Sequence, residues 1–331
     1  MVDFVPDHQI SALFERLKSG DRTALAKAIT IVESTHQKDG SSRLQLLSEA
    51  ASLSVDSVRF AITGAPGVGK STLVEQVGLS LIEEGHKVAV LAIDPTSQKT
   101  GGSILGDKTR MPKLSTHQAA FVRPSPTSGV LGGIGPSTSE IVLLCEAAGY
   151  DRILIETVGV GQSELAVSNV TDLVCFVTLA GGGDSLQGIK RGILEIVDLV
   201  AINKADGTNI SASEQYAVQL ESALHLLNGG AVSPKALLTS ALAGTGILPL
   251  LHEMNRLISE KKKDGSFEDQ RRSQHQVWFE KATLQAFHQH VLAAASSQEL
   301  NANLLEQVKN NEVVPPVAAQ RLVKHWLNNA S

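Results

Sequence analysis

Gly64-Ala65-Pro66-Gly67-Val68-Gly69-Lys70-Ser71 carries the spacing G-x-x-x-x-G-K-[ST], and Thr72 follows it. Glycines let a backbone curl until several N–H groups face one anion. A helix N-terminus behind them adds partial positive charge. The spacing therefore predicts a phosphate cradle from Gly64 to Gly69. Lys70 is expected at the β- and γ-phosphates, the Ser71 hydroxyl on Mg2+, and Thr72 at the α-phosphate. An apolar run precedes the segment and a helical stretch, Thr72 to Ile82, follows it, which is the context the motif needs.

Asn203-Lys204-Ala205-Asp206 reads N-K-x-D at the end of a second apolar run. A carboxylate at Asp206 accepts from both N–H groups on the Watson–Crick edge of guanine. Adenine lacks that donor pair and would leave the carboxylate unpaired. The stem of Lys204 is expected over the base, with Asn203 bracing the loop. Ser240-Ala241-Leu242 follows a later run and is expected to offer a backbone N–H to the guanine oxygen. In this order, the two segments indicate GTP and GDP rather than ATP.

Acidic residues close or follow three of the runs: Asp94, Asp107 and Glu156. Carboxylates at the carboxyl ends of parallel strands face the ligand crevice and suit Mg2+ near a γ-phosphate. With Ser71 they form the expected metal set. Lys70, Asp94 and Glu156 form the expected catalytic set, with Glu156 also sensing the γ-phosphate. Gln162 is a weak candidate for orienting water, so slow intrinsic turnover is expected. Gly181-Gly182-Gly183 maximises backbone freedom. Asp184, Gln187 and Lys190 beyond it are the expected polar groups of a switch that reports nucleotide state.

The elements that must position these residues are legible as short apolar runs separated by helical stretches. The runs are Phe60–Thr63, Val88–Asp94, Ile153–Thr157, Leu173–Leu179, Leu199–Asn203 and Leu237–Ser240. They predict a parallel sheet buried on both faces, hence an α/β, three-layer α/β/α architecture. Helical spacing at Ile10, Leu13, Phe14 and Leu17 and again from Leu25 predicts an N-terminal helical extension, 1–55. The sheet domain is expected at 56–258 and C-terminal helices at 259–331.

The chain has 331 residues, is 42% hydrophobic and 4% aromatic, and carries a formal charge of −5. That balance argues against nucleic acid as a partner. Cys145 and Cys175 stand in apolar surroundings and read as buried thiols of a reducing compartment, consistent with the cytoplasm. No signal-peptide core and no apolar run long enough for a membrane span is expected.

With these segments in hand, the chain resembles the MeaB/ArgK/MMAA family of P-loop GTPases, which have a SIMIBI-type G domain. The resemblance is carried by Asp94-Pro95-Thr96-Ser97, Thr100 to Met111, Leu143 to Asp151, Glu156 to Glu164 and Gly181 to Lys190. It implies a homodimer held by a C-terminal helical arm. It implies slow GTP hydrolysis, faster beside a cobalamin-dependent acyl-CoA mutase, usually methylmalonyl-CoA mutase. The implied work is gating adenosylcobalamin delivery to that mutase and protecting it from inactivation. It also implies that Asp94, Asp107 and Glu156 lie at the Mg2+ and switch site, and that Gly181 to Lys190 couple to the mutase. Three other readings compete: a kinase linked to arginine, ornithine and lysine transport, a nickel metallochaperone GTPase, and a scaffold that binds GTP without turnover. No protein-kinase motif set occurs, and the ten histidines are scattered, with no cysteine beside His86 or His117.

Overall fold

The computed structural model describes residues 7–34, 36–53, 55–94, 111–126, 136–157, 164–181, 191–227, 233–293 and 295–329. Seven strands build one sheet: β1 (Val58–Gly64), β2 (Val88–Asp94), β3 (Ala120–Pro126), β4 (Arg152–Thr157), β5 (Leu173–Thr178), β6 (Leu199–Ile202) and β7 (Lys235–Leu238). Their order across the sheet is β3-β2-β4-β1-β5-β6-β7, and every neighbouring pair is parallel.

Side chains alternate between the two faces of each strand, and both faces are buried. Ala61, Leu91, Ile155, Phe176 and Ile202 enter one apolar cluster. Phe60, Ile62, Val90, Leu154 and Cys175 enter the other. This explains why the strands read as continuous apolar runs rather than alternating ones. Helices α1 (His8–Lys18), α2 (Arg22–Glu33), α3 (Gly40–Ala51), α6 (Pro136–Ala147) and α9 (Ile210–Leu227) contribute to the first cluster. The short helices α7 (Glu164–Val167) and α8 (Arg191–Leu194) join them through Val167 and Ile193. Helices α4 (Lys70–Glu83), α5 (Pro112–Thr116) and α10 (Ile247–Asp264) contribute to the second. The result is the three-layer α/β/α arrangement.

The first three helices share the core of the sheet. Asp7 and Asp21 cap α1 and α2 by accepting from the Gln9 and Thr23 amides, each at 2.8 Å. Arg43 on α3 reaches Glu140 on α6 at 2.5 Å, and Arg123 on β3 reaches Glu33 on α2 at 2.5 Å.

One strand escaped the sequence reading. β3 holds Pro124 and Pro126, which have no amide to give a ladder. The structure places it at the sheet edge, where only β2 needs its hydrogen bonds. Cys145 and Cys175 are buried and free. Burial pushes the Cys175 thiol up to about 12 and the Cys145 thiol higher, so both stay protonated.

The chain divides into two compact units between Gln274 and His275, within α11 (Ser266–Ala293). The second unit continues with α12 (Ala295–Lys309) and α13 (Pro315–Asn329). Inside it the Phe287 and Trp326 rings meet edge-on, with centroids 5.1 Å apart.

Candidate nucleotide site

The carboxyl ends of β1, β4, β6 and β7 meet on one side of the sheet, where parallel α/β proteins place ligands. The glycine loop joins β1 to α4. Gly64 has φ +153°, and a Cβ there would lie 2.1 Å from the Val177 carbonyl oxygen of β5. Gly69 has φ +93°, and a Cβ there would lie 2.5 Å from Asn203 Nδ2. Only glycine satisfies both positions. Lys70 is buried and folds back across the loop. Its Nζ donates to the Gly64 carbonyl at 2.8 Å and the Ala65 carbonyl at 2.9 Å.

Ser71 Oγ donates to Glu156 Oε1 at 2.7 Å. Glu156 is buried near the end of β4, in register with Ile62 of β1 and Ala92 of β2. Beside it Thr157 Oγ1 donates to Thr63 Oγ1 at 2.8 Å, which ties the two strand ends together. Asp94 closes β2 opposite Pro126. Its side chain, and Asp107, Gln162, Asp184, Gln187 and Lys190, lie outside the described residues.

The N-K-x-D segment packs directly on the glycine loop. Asn203 Nδ2 donates to the Val68 carbonyl at 2.8 Å, and its Oδ1 accepts from the Ala241 amide at 3.0 Å. Lys204 stands at φ +57° and its Nζ donates to the Gly67 carbonyl at 2.8 Å. The Ser240 hydroxyl donates to Asp206 Oδ2 and accepts from the Ala243 amide at 3.2 Å. The bridge between Ser240 and Thr245 closes this last turn, and Leu242 at its tip is 90% exposed. The structure thus brings together the glycine loop, Lys70, Ser71, Glu156, Asn203, Lys204, Asp206, Ser240 and Ala241. Thr72 follows on α4, half-buried.

Sequence reasoning missed Glu75, one turn beyond Ser71 on α4. It is buried, and its Oε1 accepts from the Lys113 amide at 2.8 Å and the Leu114 amide at 3.3 Å at the start of α5. The signal was a carboxylate among the buried residues of α4, which include Leu73, Val74, Val77 and Leu81.

Among the described residues no three His, Cys, Asp or Glu side chains converge as a metal cluster. No described helix is long and apolar enough to cross a membrane.

A strand–glycine loop–helix over a parallel sheet, with an N-K-x-D loop hydrogen-bonded to it, defines a P-loop nucleotide hydrolase. The comparisons then assign the family. A profile described as methylmalonyl Co-A mutase-associated GTPase MeaB matches residues 25–296. GTPase ArgK of Escherichia coli is 43% identical over 311 residues, 93% of each chain. A Mus musculus protein named methylmalonic aciduria type A homolog, mitochondrial, is 40% identical over 327 residues, 95% of this chain and 79% of its own. The crystal structure of an LAO/AO transport system kinase superposes with TM-score 0.72 at 34% identity, covering 97% of this chain and 98% of that one. This chain belongs to the MeaB family of methylmalonyl-CoA mutase-associated GTPases, and it is a GTP hydrolase.

Proposed function

We propose that this chain uses GTP binding and slow hydrolysis to gate adenosylcobalamin loading into a cobalamin-dependent acyl-CoA mutase, and to protect that mutase. Methylmalonyl-CoA mutase is the first candidate. The observation that carries this reading is the family match over residues 25–296. The cytoplasm and a homodimer complete the proposal. Phe279, Leu284 and Phe287 of α11 are exposed in the single chain, which supports a second copy as the dimer partner.

The residue roles follow from the site. We assign the amides of Gly64 to Gly69 to the phosphates and Lys70 to the β- and γ-phosphates. The Lys70 ammonium already crosses the loop on two carbonyls, so it exchanges those partners for phosphate oxygens without a long swing. We assign Asp206 to the guanine edge, Lys204 to its face, and the 240–242 turn to its oxygen. The Ser240 hydroxyl holds one Asp206 oxygen and leaves the carboxylate other acceptor positions.

Ser71 and Glu156 are hard oxygen donors 2.7 Å apart and fit Mg2+, which takes few protein ligands and keeps most of its waters. Asp94 and Asp107 complete the proposed set. Held by these residues, Mg2+ would supply positive charge to the triphosphate. Asp184, Gln187 and Lys190 are the proposed switch toward the mutase.

Steady-state phosphate release, measured with and without a purified mutase, tests the proposal. Stimulation by the mutase supports it. Phosphate transfer to a substrate-binding protein would favour the kinase reading. Stoichiometric nickel binding would favour the metallochaperone, and tight GTP binding without turnover in any mixture the scaffold.

A further inference from the structure

An open cleft of about 360 Å³ lies at the opposite ends of the elements that carry the nucleotide loops. Val58, the first residue of β1, and Ile258 of α10 give it an apolar floor. Arg152, the first residue of β4, and Lys262 and Lys263, near the end of α10, line it with positive charge. Asn255 and Ser259, one α-helical turn apart, add an amide and a hydroxyl. Among the described residues no carboxylate lines the cleft.

The cations here are not fully used by the protein. Arg152 Nη1 donates to the Asp151 carbonyl at 2.9 Å and pairs with Asp151 Oδ2 at 3.3 Å, and its Nη2 faces His86 Nε2 at 3.2 Å. Its Nε is buried and has no hydrogen-bond partner among the described residues. An unpaired buried donor on a charged group is costly, so a structure that keeps one usually reserves it for a ligand or water. Lys263 forms no ion pair among the described residues. Lys262 donates to Asp56 Oδ1 at 2.6 Å, just outside the lining. The Asp56 carboxyl lies below its usual range. The Lys262 hydrogen bond is the largest cause, and the charges of Lys262, Arg152 and Arg271 add to it against the opposing effect of burial. Arg152 and Lys262 are thus each paired with one carboxylate, and Lys263 leaves a net positive charge at the rim. The carbonyl end of α10 contributes about half a negative charge, which Lys262 and Lys263 outweigh.

We propose that this cleft binds a small organic anion. Its phosphate or carboxylate head meets Arg152, Lys262 and Lys263, and its apolar body rests on Val58 and Ile258. The volume is in the range of small-molecule clefts. β1 and β4 run from the cleft to Gly64 and Glu156, and α10 runs from it to the turn at Gly246. The site is separate from the phosphate loop, at the far end of a seven-residue strand, about 20 Å away.

The test uses the full chain saturated with GDP, so that the phosphate loop is occupied. Inorganic pyrophosphate and, separately, tricarballylate are titrated by calorimetry and by 15N NMR of the arginine Nε–H groups. Saturable binding is expected, with the Arg152 Nε–H resonance moving downfield. Lys262→Ala with Lys263→Ala should weaken binding at least tenfold. Asp56→Asn should tighten it, because it frees Lys262. Both lysines sit in the last turn of α10, and a melting curve checks that the variants fold. The proposal is overturned if neither probe saturates, or if the double lysine variant binds as wild type. It is equally overturned if Lys70→Ala, rather than the lysine pair, abolishes binding.

Discussion

Asn203 Nδ2 stands 2.8 Å from the Val68 carbonyl, so the N-K-x-D segment holds the glycine loop directly. The same side chain accepts from Ala241 N–H at 3.0 Å. One amide therefore satisfies a carbonyl in one loop and an amide in another. Asn203→Ala leaves both buried groups unpaired. An expected loss of about 2–6 kcal/mol follows from two such penalties. Thermal or urea unfolding measures it, and GDP affinity should fall with it. Unchanged melting would mean that water replaces the side chain and that the loops are not coupled through it.

Asp206→Asn tests base recognition. Asparagine presents one acceptor and one amide donor, so the donor pair on guanine meets only half a partner. GTP affinity should fall by roughly a hundredfold or more, by the measure of sites built to read hydrogen bonds. Xanthosine triphosphate, whose ring carries an oxygen in place of the amino group, should gain in the same variant. Fluorescent-nucleotide competition reads both changes. Equal loss for both nucleotides would point to collapse of the Ser240 turn, which Asp206 also holds.

Much of this was legible in the chain because its physics is local. The glycine spacing and the run and helix that flank it lie within one short segment, and a parallel sheet buried on both faces announces itself as unbroken apolar runs. Six strands follow from that rule. β3 does not, because an edge strand tolerates Pro124 and Pro126, and prolines look like a break. Its middle is also polar, with Arg123, the fourth of its seven residues, turned to Glu33 on α2. Glu75 was missed for a different reason. Its partners, the amides of Lys113 and Leu114, lie 38 and 39 residues away and belong to a five-residue helix. The cleft beside Val58 is likewise a product of tertiary packing, since residues from 58, 152 and 255–263 meet only when the sheet is assembled.

Glu156→Gln keeps the shape of the side chain and removes its charge. Ser71 still has an acceptor, so GDP binding without metal should change less than threefold. The dependence on Mg2+ should change more. We expect the Mg2+ concentration that half-saturates GTP hydrolysis to rise, and turnover to fall by about a hundredfold, the scale of losing one positioned charge-stabilising group. Chelating Mg2+ from the wild type should produce the same loss. If chelation leaves turnover intact, the assignment of Ser71 and Glu156 to a metal fails.

Stability at low pH should depend on Glu253. It accepts from Arg256 Nε and Nη2 at 2.9 and 2.8 Å and pairs with Lys235 Nζ at 3.0 Å. The Arg256 hydrogen bonds come first, and with Lys235 they hold the carboxyl at about 2, below its ordinary 4.5, against the effect of burial. A carboxyl depressed in the folded state takes up a proton more readily when the chain is unfolded. Its stabilisation is complete above about pH 4.5 and is lost as pH falls toward 2. Glu253→Gln should melt below wild type at pH 6, with the two curves converging by pH 2. A gap that stays constant across that range would assign the effect to packing instead.

Arg271 on α11 grips Asp172 with two hydrogen bonds, Nε to Oδ1 at 2.9 Å and Nη2 to Oδ2 at 2.8 Å. Nη2 also donates to the Ser57 carbonyl at 2.9 Å, and Asp172 accepts from the Arg59 amide at 2.8 Å. The Asp172 side chain is only 1% exposed, so its charge has almost no access to water. Removing one partner of such a pair strands the other, at a cost of about 3–5 kcal/mol, whereas replacing both with neutral groups costs less. Arg271→Met should therefore destabilise the chain by that amount. Asp172→Asn in the same chain should recover part of it, because the amide keeps an acceptor for Arg59 N–H and carries no charge. Urea denaturation of the two single variants and the double variant measures the coupling directly. Strictly additive losses would mean that the two side chains do not act as a pair, and that α11 is held to the segment before β5 by the Gln270 and Gln274 contacts with the Thr171 and Ser168 carbonyls.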